Sequence, residues 1–167
     1  MRIVMDSDVL IKVAKASVKD LIASNFEVHI PPKVKDETVN EGRARGYPDA
    51  PVIDENIRRG KLRIVETMRT EDTEKLISGL NLLGGEADSI RLFRQGSYEA
   101  IASDDSRFIE LAEGLGIPYL TPSALLIYLR RSGAASRQEI RRCLDRIKEL
   151  ISPKEYLASL EELGKEE

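Results

Sequence analysis

The sequence has little cysteine or histidine and no long apolar run. Its 167 residues include one cysteine, one histidine and no tryptophan. A single cysteine, Cys143, excludes a disulfide within the chain and favours a reducing compartment. Apolar runs are too short to cross a bilayer, and Asp6 interrupts the N-terminal one. We therefore expect a cytoplasmic protein with no signal peptide and no membrane span.

Excess positive charge is also missing. The net charge is −3, so binding to nucleic acid would need a local basic patch. A hydrophobic content of 41% with a charged content of 33% is typical of a soluble globular chain. The length suits one domain with a substantial core.

Strand-like apolar segments alternate with helix-like segments along most of the chain. We predict strands at residues 3–5, 26–32, 61–66, 99–103 and 117–120. Helices are predicted at 10–23, 33–44, 49–60, 70–83, 86–95, 106–115 and 122–131. This alternation predicts an α/β domain in which helices cover both faces of a parallel sheet.

Two further helices are predicted after the last strand, at 136–151 and 153–163. The first carries an apolar stripe at helical spacing, formed by Ile140, Cys143, Leu144, Ile147 and Leu150. Such a stripe has to be covered by the chain's own core, by a second copy or by a partner. We expect the stripe to pack on the chain's own domain, with homodimer formation as the second possibility.

Pairs of acids follow two of the predicted strands. MRIVMDSDVLI places Asp6 and Asp8 after the first strand, and EAIASDD places Asp104 and Asp105 after the fourth. Sites in open parallel sheets form at the carboxyl ends of the strands. Helix capping is the alternative explanation, but it accounts for one acid of each pair rather than two.

Two predicted helix starts also carry acids. Glu37 and Glu41 are one turn apart in KDETVNE, and Glu86 and Asp88 follow a glycine pair in GGEADSI. A solvated helix face and the helix dipole are the alternative explanations. If the four segments converge, their carboxylate oxygens suit Mg²⁺ or Mn²⁺. A hard cation in such a pocket suggests hydrolysis of a phosphodiester.

These same segments resemble PIN domains, a family of metal-dependent nucleases that includes many prokaryotic ribonucleases. MRIVMDSDVLI is similar to the family's opening strand, and IPPKVKDETV carries a Glu where the family has one. GGEADSIRLF resembles the glycine–Glu–helix segment of the family. IASDDSRFIELAEGLGIPYLTPSALL is similar to its last motif, so the likeness runs from residue 1 to about residue 130.

The resemblance implies a PIN-like three-layer α/β/α fold with a central parallel sheet of about four or five strands, plus C-terminal helices. Residues 1–132 would form the catalytic domain. Residues 133–167 would form a helical extension that packs on the domain or is used in dimerisation.

The resemblance also implies roles for individual residues. The catalytic acids would be Asp6, Glu37 and Asp105 together with Glu86 or Asp88. The metal ligands would be Asp6, Asp88 and Asp105, with Ser7, Asp8, Ser103 and Asp104 as auxiliary residues. For RNA binding we expect basic residues near the acidic helices, namely Arg43, Arg45, Arg91 and Arg94. An exposed helix face is the alternative explanation for these arginines.

The expected function is therefore a Mg²⁺- or Mn²⁺-dependent endoribonuclease. It would be either the toxin of a toxin–antitoxin pair, with an antitoxin protein as partner, or an RNA-processing nuclease. One alternative is a haloacid-dehalogenase-like phosphatase that uses Asp6 as nucleophile. FEVHIPP, however, lacks the hydroxyl residue which that family has after an intermediate strand. A non-catalytic RNA- or protein-binding module is the other alternative.

Overall fold

Five parallel strands form the centre of the computed structural model, which describes residues 1–165. The strands are β1 (Arg2–Met5), β2 (Glu27–Ile30), β3 (Leu62–Ile64), β4 (Ala100–Ala102) and β5 (Tyr119–Leu120). Their order across the sheet is β3-β2-β1-β4-β5. The first strand is therefore central, with β2 on one side and β4 on the other, and the predicted parallel α/β sheet is confirmed.

Helices connect and cover these strands. Before β3 they are α1 (Ser7–Lys15), α2 (Lys19–Asn25), α3 (Pro32–Lys35), a π-helical segment (Asp36–Glu41), α4 (Gly42–Ala44) and α5 (Asp49–Arg58). After β3 they are α6 (Glu71–Gly79), α7 (Gly84–Gln95), α8 (Ser106–Gly114), α9 (Pro122–Arg131), α10 (Arg137–Ile147), a 3₁₀ turn (Lys148–Leu150) and α11 (Pro153–Gly164).

The two faces of the sheet belong to separate apolar clusters, because successive side chains of a strand point to opposite faces. Ile3 and Met5 of β1 pack in the larger cluster, with side chains of α1, α2, α9 and α10. Val4 of β1 packs in the smaller cluster, with Ile90 of α7 and Phe108 of α8. Helices thus cover both faces, which confirms the three-layer α/β/α architecture.

The predicted continuous helix over residues 10–23 is wrong. Ser17 has a φ of 59°, a left-handed conformation that an α-helix cannot continue through. The chain therefore forms α1 and α2 with a turn between them. The predicted helix over residues 33–44 is helical in the structure, but its middle six residues form the wider π-helical segment. Single turns of this kind are frequent at functional sites.

The C-terminal helices lie against the larger apolar cluster. Ile140, Leu144 and Ile147 of α10 are each at most 1% exposed and pack in that cluster. Helix α11 packs on α9 and α10. The division of the chain at residues 132 and 133 stays a prediction, and the last two residues of the predicted extension, 166 and 167, lie outside the described residues. Within residues 1–165 the helices lack the length and apolarity that a membrane span requires.

Candidate active site

The carboxyl ends of β1 and β4 lie side by side. Met5 pairs with Ala102 in the parallel register, and the Asp6 N–H donates a 3.0 Å hydrogen bond to the Ala102 carbonyl. The acids that follow these two strands therefore lie at the same edge of the sheet.

Asp6 is the most perturbed carboxyl group at this edge. Burial raises its pKa to about 7, although a hydrogen bond from the Ser103 hydroxyl and one from the Val9 N–H at 2.9 Å lower it. The charges of Asp104 and Asp8 raise this pKa further. The Val9 contact makes Asp6 the N-cap of α1. Capping explains where Asp6 lies, but a cap alone has no need of further acids around it.

Asp104 is buried next to Asp6. Its side chain is 8% exposed, and its Oδ2 accepts a hydrogen bond from the Lys12 ammonium of α1. The other oxygen, Oδ1, is buried and has no hydrogen-bond partner among residues 1–165. Burial raises the pKa of Asp104, Lys12 lowers it, and the charges of Asp8 and Glu155 raise it. The edge therefore contains a carboxylate oxygen that still lacks a donor or a cation.

Asp105 and Glu86 form a second acidic pair. Asp105 is exposed and caps α8 by accepting a 2.8 Å hydrogen bond from the Phe108 N–H. Glu86 lies in the first turn of α7, and its pKa is raised by burial and by the charge of Asp105. Helix α7 thus brings one of its two candidate acids within electrostatic range of the β4 end.

Glu37 reaches the site from the π-helical segment. The Ser7 hydroxyl, directly after Asp6, donates to Glu37 Oε2 at 2.5 Å. Lys33 Nζ lies 3.7 Å from Glu37 Oε1. The α7 N-terminus is in direct contact as well, since a Cβ added at Gly85 would lie 3.0 Å from Glu37 Oε2. The glycine pair therefore leaves the space that this carboxylate occupies.

Asp88 has a different neighbour. Its Oδ1 accepts a 2.6 Å hydrogen bond from Arg91, which also donates to both carboxylate oxygens of Glu74 at 2.6 and 2.8 Å. Arg91 is 8% exposed. This geometry favours Glu86 over Asp88 as the third acid. It also favours a structural role for Arg91 over the predicted RNA contact, because its guanidinium is buried and already paired.

The other predicted RNA-binding arginines are more accessible or more weakly held. Arg43 pairs with Asp54, and Arg45 lies 3.4 Å from Glu41, while the two arginine side chains are 47% and 63% exposed. Arg94 Nε donates to Thr73 Oγ1 at 3.2 Å. Arg43 and Arg45 therefore remain able to contact a ligand at the surface.

The donor chemistry of the site suits a hard divalent cation. Every candidate ligand is an oxygen, Asp6 is held in a buried and acidic environment, and Asp104 Oδ1 lacks a partner in the described chain. Within residues 1–165, however, no three carboxylate, histidine or cysteine side chains are close enough to form a metal-binding group. Mg²⁺ does not require such a group, because it keeps several waters and often binds through one or two carboxylates.

Two neighbours of the site were not predicted from the sequence. Lys12 follows Asp8 by four residues, a spacing that places both on one helix face. Glu155 follows Ser152 by three residues, and such a pair is typical of a capping box, which gives Glu155 a purely local explanation. In the structure the Glu155 carboxylate instead accepts from Ser123, so its partner is 32 residues away in the chain.

Comparison with known families gave one finding. The family model DUF3368, described as a PIN domain, matches residues 2–165, a range that includes the sheet and both C-terminal helices. Comparisons with curated proteins and with solved structures found no match.

Proposed function

The chain belongs to the PIN-domain family, and we propose that it is a Mg²⁺- or Mn²⁺-dependent endoribonuclease. PIN domains are generally nucleases that hydrolyse phosphodiester bonds. The observation that carries the proposal is the meeting of the β1 and β4 ends, which brings Asp6 to a half-buried position beside Ser103 and Asp104. A fold that placed these acids only as helix caps would not need to bury Asp6 next to Asp104.

We propose that Asp6, Asp105 and Glu86 hold the cation, at most two of them directly and the rest through its bound waters, with Asp88 as the alternative third acid. When bound, the cation would lower the pKa of a water molecule and stabilise charge on the phosphate. Ser103 orients Asp6 by donating a hydrogen bond, and Ser7 orients Glu37 in the same way. Lys12 compensates the charge of Asp104, and Asp8 adds negative charge at the rim.

RNA is the proposed substrate, and Arg43 and Arg45 are proposed to contact its phosphates. Arg94, held by one hydrogen bond to Thr73, is a third candidate for this role. A toxin role with an antitoxin partner, a homodimeric state and a cytoplasmic location are further parts of the proposal. Leu157 of α11 is 63% exposed and is a candidate contact in a dimer, which light scattering on the purified protein would detect.

The direct test is incubation of a mixed RNA pool with the protein in two separate reactions, one with Mn²⁺ and one with a chelator. We expect cleavage with Mn²⁺ and none with the chelator. Asp6→Asn and Asp105→Asn should each abolish cleavage, because both substitutions keep a capping residue and remove a charge. Asp72→Asn, at an exposed acid in the first turn of α6, is the matched control and should leave cleavage unchanged.

Other outcomes separate the alternatives. Retained cleavage in Asp6→Asn and Asp105→Asn would refute the assignment of the site. If the wild-type protein neither cleaves RNA nor binds Mn²⁺ in calorimetry, it is the non-catalytic module. Glu86→Gln compared with Asp88→Asn identifies the third acid, and we expect the larger loss of cleavage in Glu86→Gln. Family membership gives no support to the phosphatase alternative.

A further inference from the structure

A groove between α9 and α11 begins near the acidic edge of the sheet. Its volume is about 510 Å³, which lies within the range of small-ligand sites. Most of its exposed surface is apolar, and Leu120, Ala124 and Ile127 contribute to it. The polar lining includes Glu155 and the ion pair between Arg131 and Glu162, so the groove combines an apolar surface with charged groups at its edge.

Glu155 is one of the polar groups that line the groove, and one of its oxygens is fixed. Its Oε1 accepts from the Ser123 hydroxyl at 2.6 Å and from the Ser123 N–H at 3.3 Å. Ser123 is 3% exposed and lies in the first turn of α9, directly after β5. Glu155 Oε2 has no hydrogen bond to any residue of the described chain. The carboxylate is therefore held in place with one acceptor oxygen free.

The groove lies beside the edge of the sheet that carries the proposed active site. Strand β5 pairs with β4, whose carboxyl end carries Asp104. The Ser103 N–H, one residue before Asp104, donates a 3.0 Å hydrogen bond to the carbonyl of Leu120, which lines the groove. If a scissile phosphate lies at the acidic edge, a neighbouring nucleotide can reach the groove. The lining carries two carboxylates, Glu155 and Glu162, and one arginine, Arg131, which pairs with Glu162. The remaining charge of Glu155 disfavours phosphates there, so a base is the part of the strand that fits.

We propose that this groove is a nucleobase subsite for single-stranded RNA, in which Glu155 accepts hydrogen bonds from the base. The inference depends on the proposed function for its substrate class. An ionised carboxylate only accepts hydrogen bonds, so the base has to present donors. Guanine offers adjacent N1–H and N2–H groups, adenine and cytosine offer an amino group, and uracil offers one N–H between two carbonyls. Guanine should therefore bind best and uracil worst.

Cleavage of a random RNA pool with Mn²⁺, followed by sequencing of the new ends, tests this subsite. At one fixed position relative to the cut we expect guanine to be preferred over uracil by about tenfold, because the two acceptor sites of Oε2 can receive both N1–H and N2–H of guanine. Glu155→Gln keeps an acceptor for Ser123 but removes the charge, and it should abolish this preference. The control Glu161→Gln, at an exposed residue of α11 that pairs with Lys165, should retain it. An unchanged preference in Glu155→Gln would overturn the proposal.

A binding measurement makes the test independent of cleavage. In the presence of chelator, fluorescence anisotropy compares the pentanucleotides UUGUU and UUUUU, and we expect the first to bind about tenfold more tightly. Glu155→Gln and Ala124→Trp, which fills the groove, should each remove this difference, and circular dichroism checks that both variants fold. Equal binding of the two RNAs by the wild type overturns the subsite even if the protein cleaves RNA. Preferred binding of UUGUU without any cleavage would refute the nuclease assignment and support the subsite.

Discussion

The raised pKa of Asp6 predicts that Asp6→Asn stabilises the cation-free protein at alkaline pH. In the folded state the pKa is about 7, against 3.8 for the ordinary side chain. At a pH between these two pKa values, Asp6 holds a proton in the folded protein that it has released in the unfolded chain. The free energy of unfolding therefore falls as the pH rises from about 4 to about 7, and the loss is complete above pH 7. Asparagine carries no charge and does not incur this loss.

The difference between the two pKa values sets the size of the effect. A difference of about 3 units corresponds to at most about 4 kcal/mol. Asp6 is only half-buried, and water near its carboxylate lowers the cost of the charge, so we expect about 1–3 kcal/mol. For a chain of this length that is a rise in Tm of roughly 3–10 °C. The cap of α1 is retained, because asparagine caps helices as well as aspartate does.

Thermal and urea unfolding in the presence of chelator at pH 5 and pH 8.5 provides the assay. The free energy of unfolding of Asp6→Asn should exceed that of the wild type at pH 8.5. At pH 5 the difference should be clearly smaller. Asp72→Asn should differ from the wild type by less than about 0.5 kcal/mol at both pH values. In separate measurements without chelator, Mn²⁺ should stabilise the wild type but not Asp6→Asn. Equal effects at the two pH values, or a less stable Asp6→Asn at pH 8.5, would refute the argument.

Other substitutions separate stability from activity. Arg91→Met leaves two acids without their cation and should lower the free energy of unfolding by about 2–3 kcal/mol in urea, whereas a loss below 1 kcal/mol would contradict the structural role. Gly85→Ala places a methyl group against Glu37, so RNA cleavage should fall by at least about tenfold. Its stability should change by less than about 1 kcal/mol, because alanine favours the helix. Leu126→Ala removes a side chain that is 1% exposed and should cost about 2–5 kcal/mol in the same unfolding assay.

The sheet was predictable because its signal is local. Each strand is a short apolar run that ends at an acid, a proline or a capping residue, and parallel pairing follows from the helices between the strands. The bounds of α9 agree with the prediction because Thr121 caps it and Pro122 occupies its first turn. The prediction missed the break at Ser17, although Ser17 and Asp20 have the spacing of a capping box that would begin a second helix. The left-handed conformation of Ser17 allows the chain to turn before α2.

The residues of the candidate site were also predictable only in part. The sequence places Asp6 and Asp105 at strand ends, and these positions follow from strand order alone. Which of Glu86 and Asp88 belongs to the site depends on where Arg91 lies, and Arg91 is buried by contacts with α6 that no local pattern specifies. The position of Glu155 near the site depends on the packing of α11 against α9. The sequence of its own segment carries no signal for this tertiary contact.

The two strand-end acids show why site and fold share residues here. Asp6 and Asp105 each accept a hydrogen bond from the backbone N–H three residues later, so each begins the helix that follows its strand. This hydrogen bond orients the carboxylate toward the start of a helix, where a negative charge is favourable. At Asp6 burial outweighs that benefit, so the pKa of this carboxyl group is raised. Replacement by asparagine keeps the cap and removes the charge, so it separates folding from function, whereas alanine would disturb both.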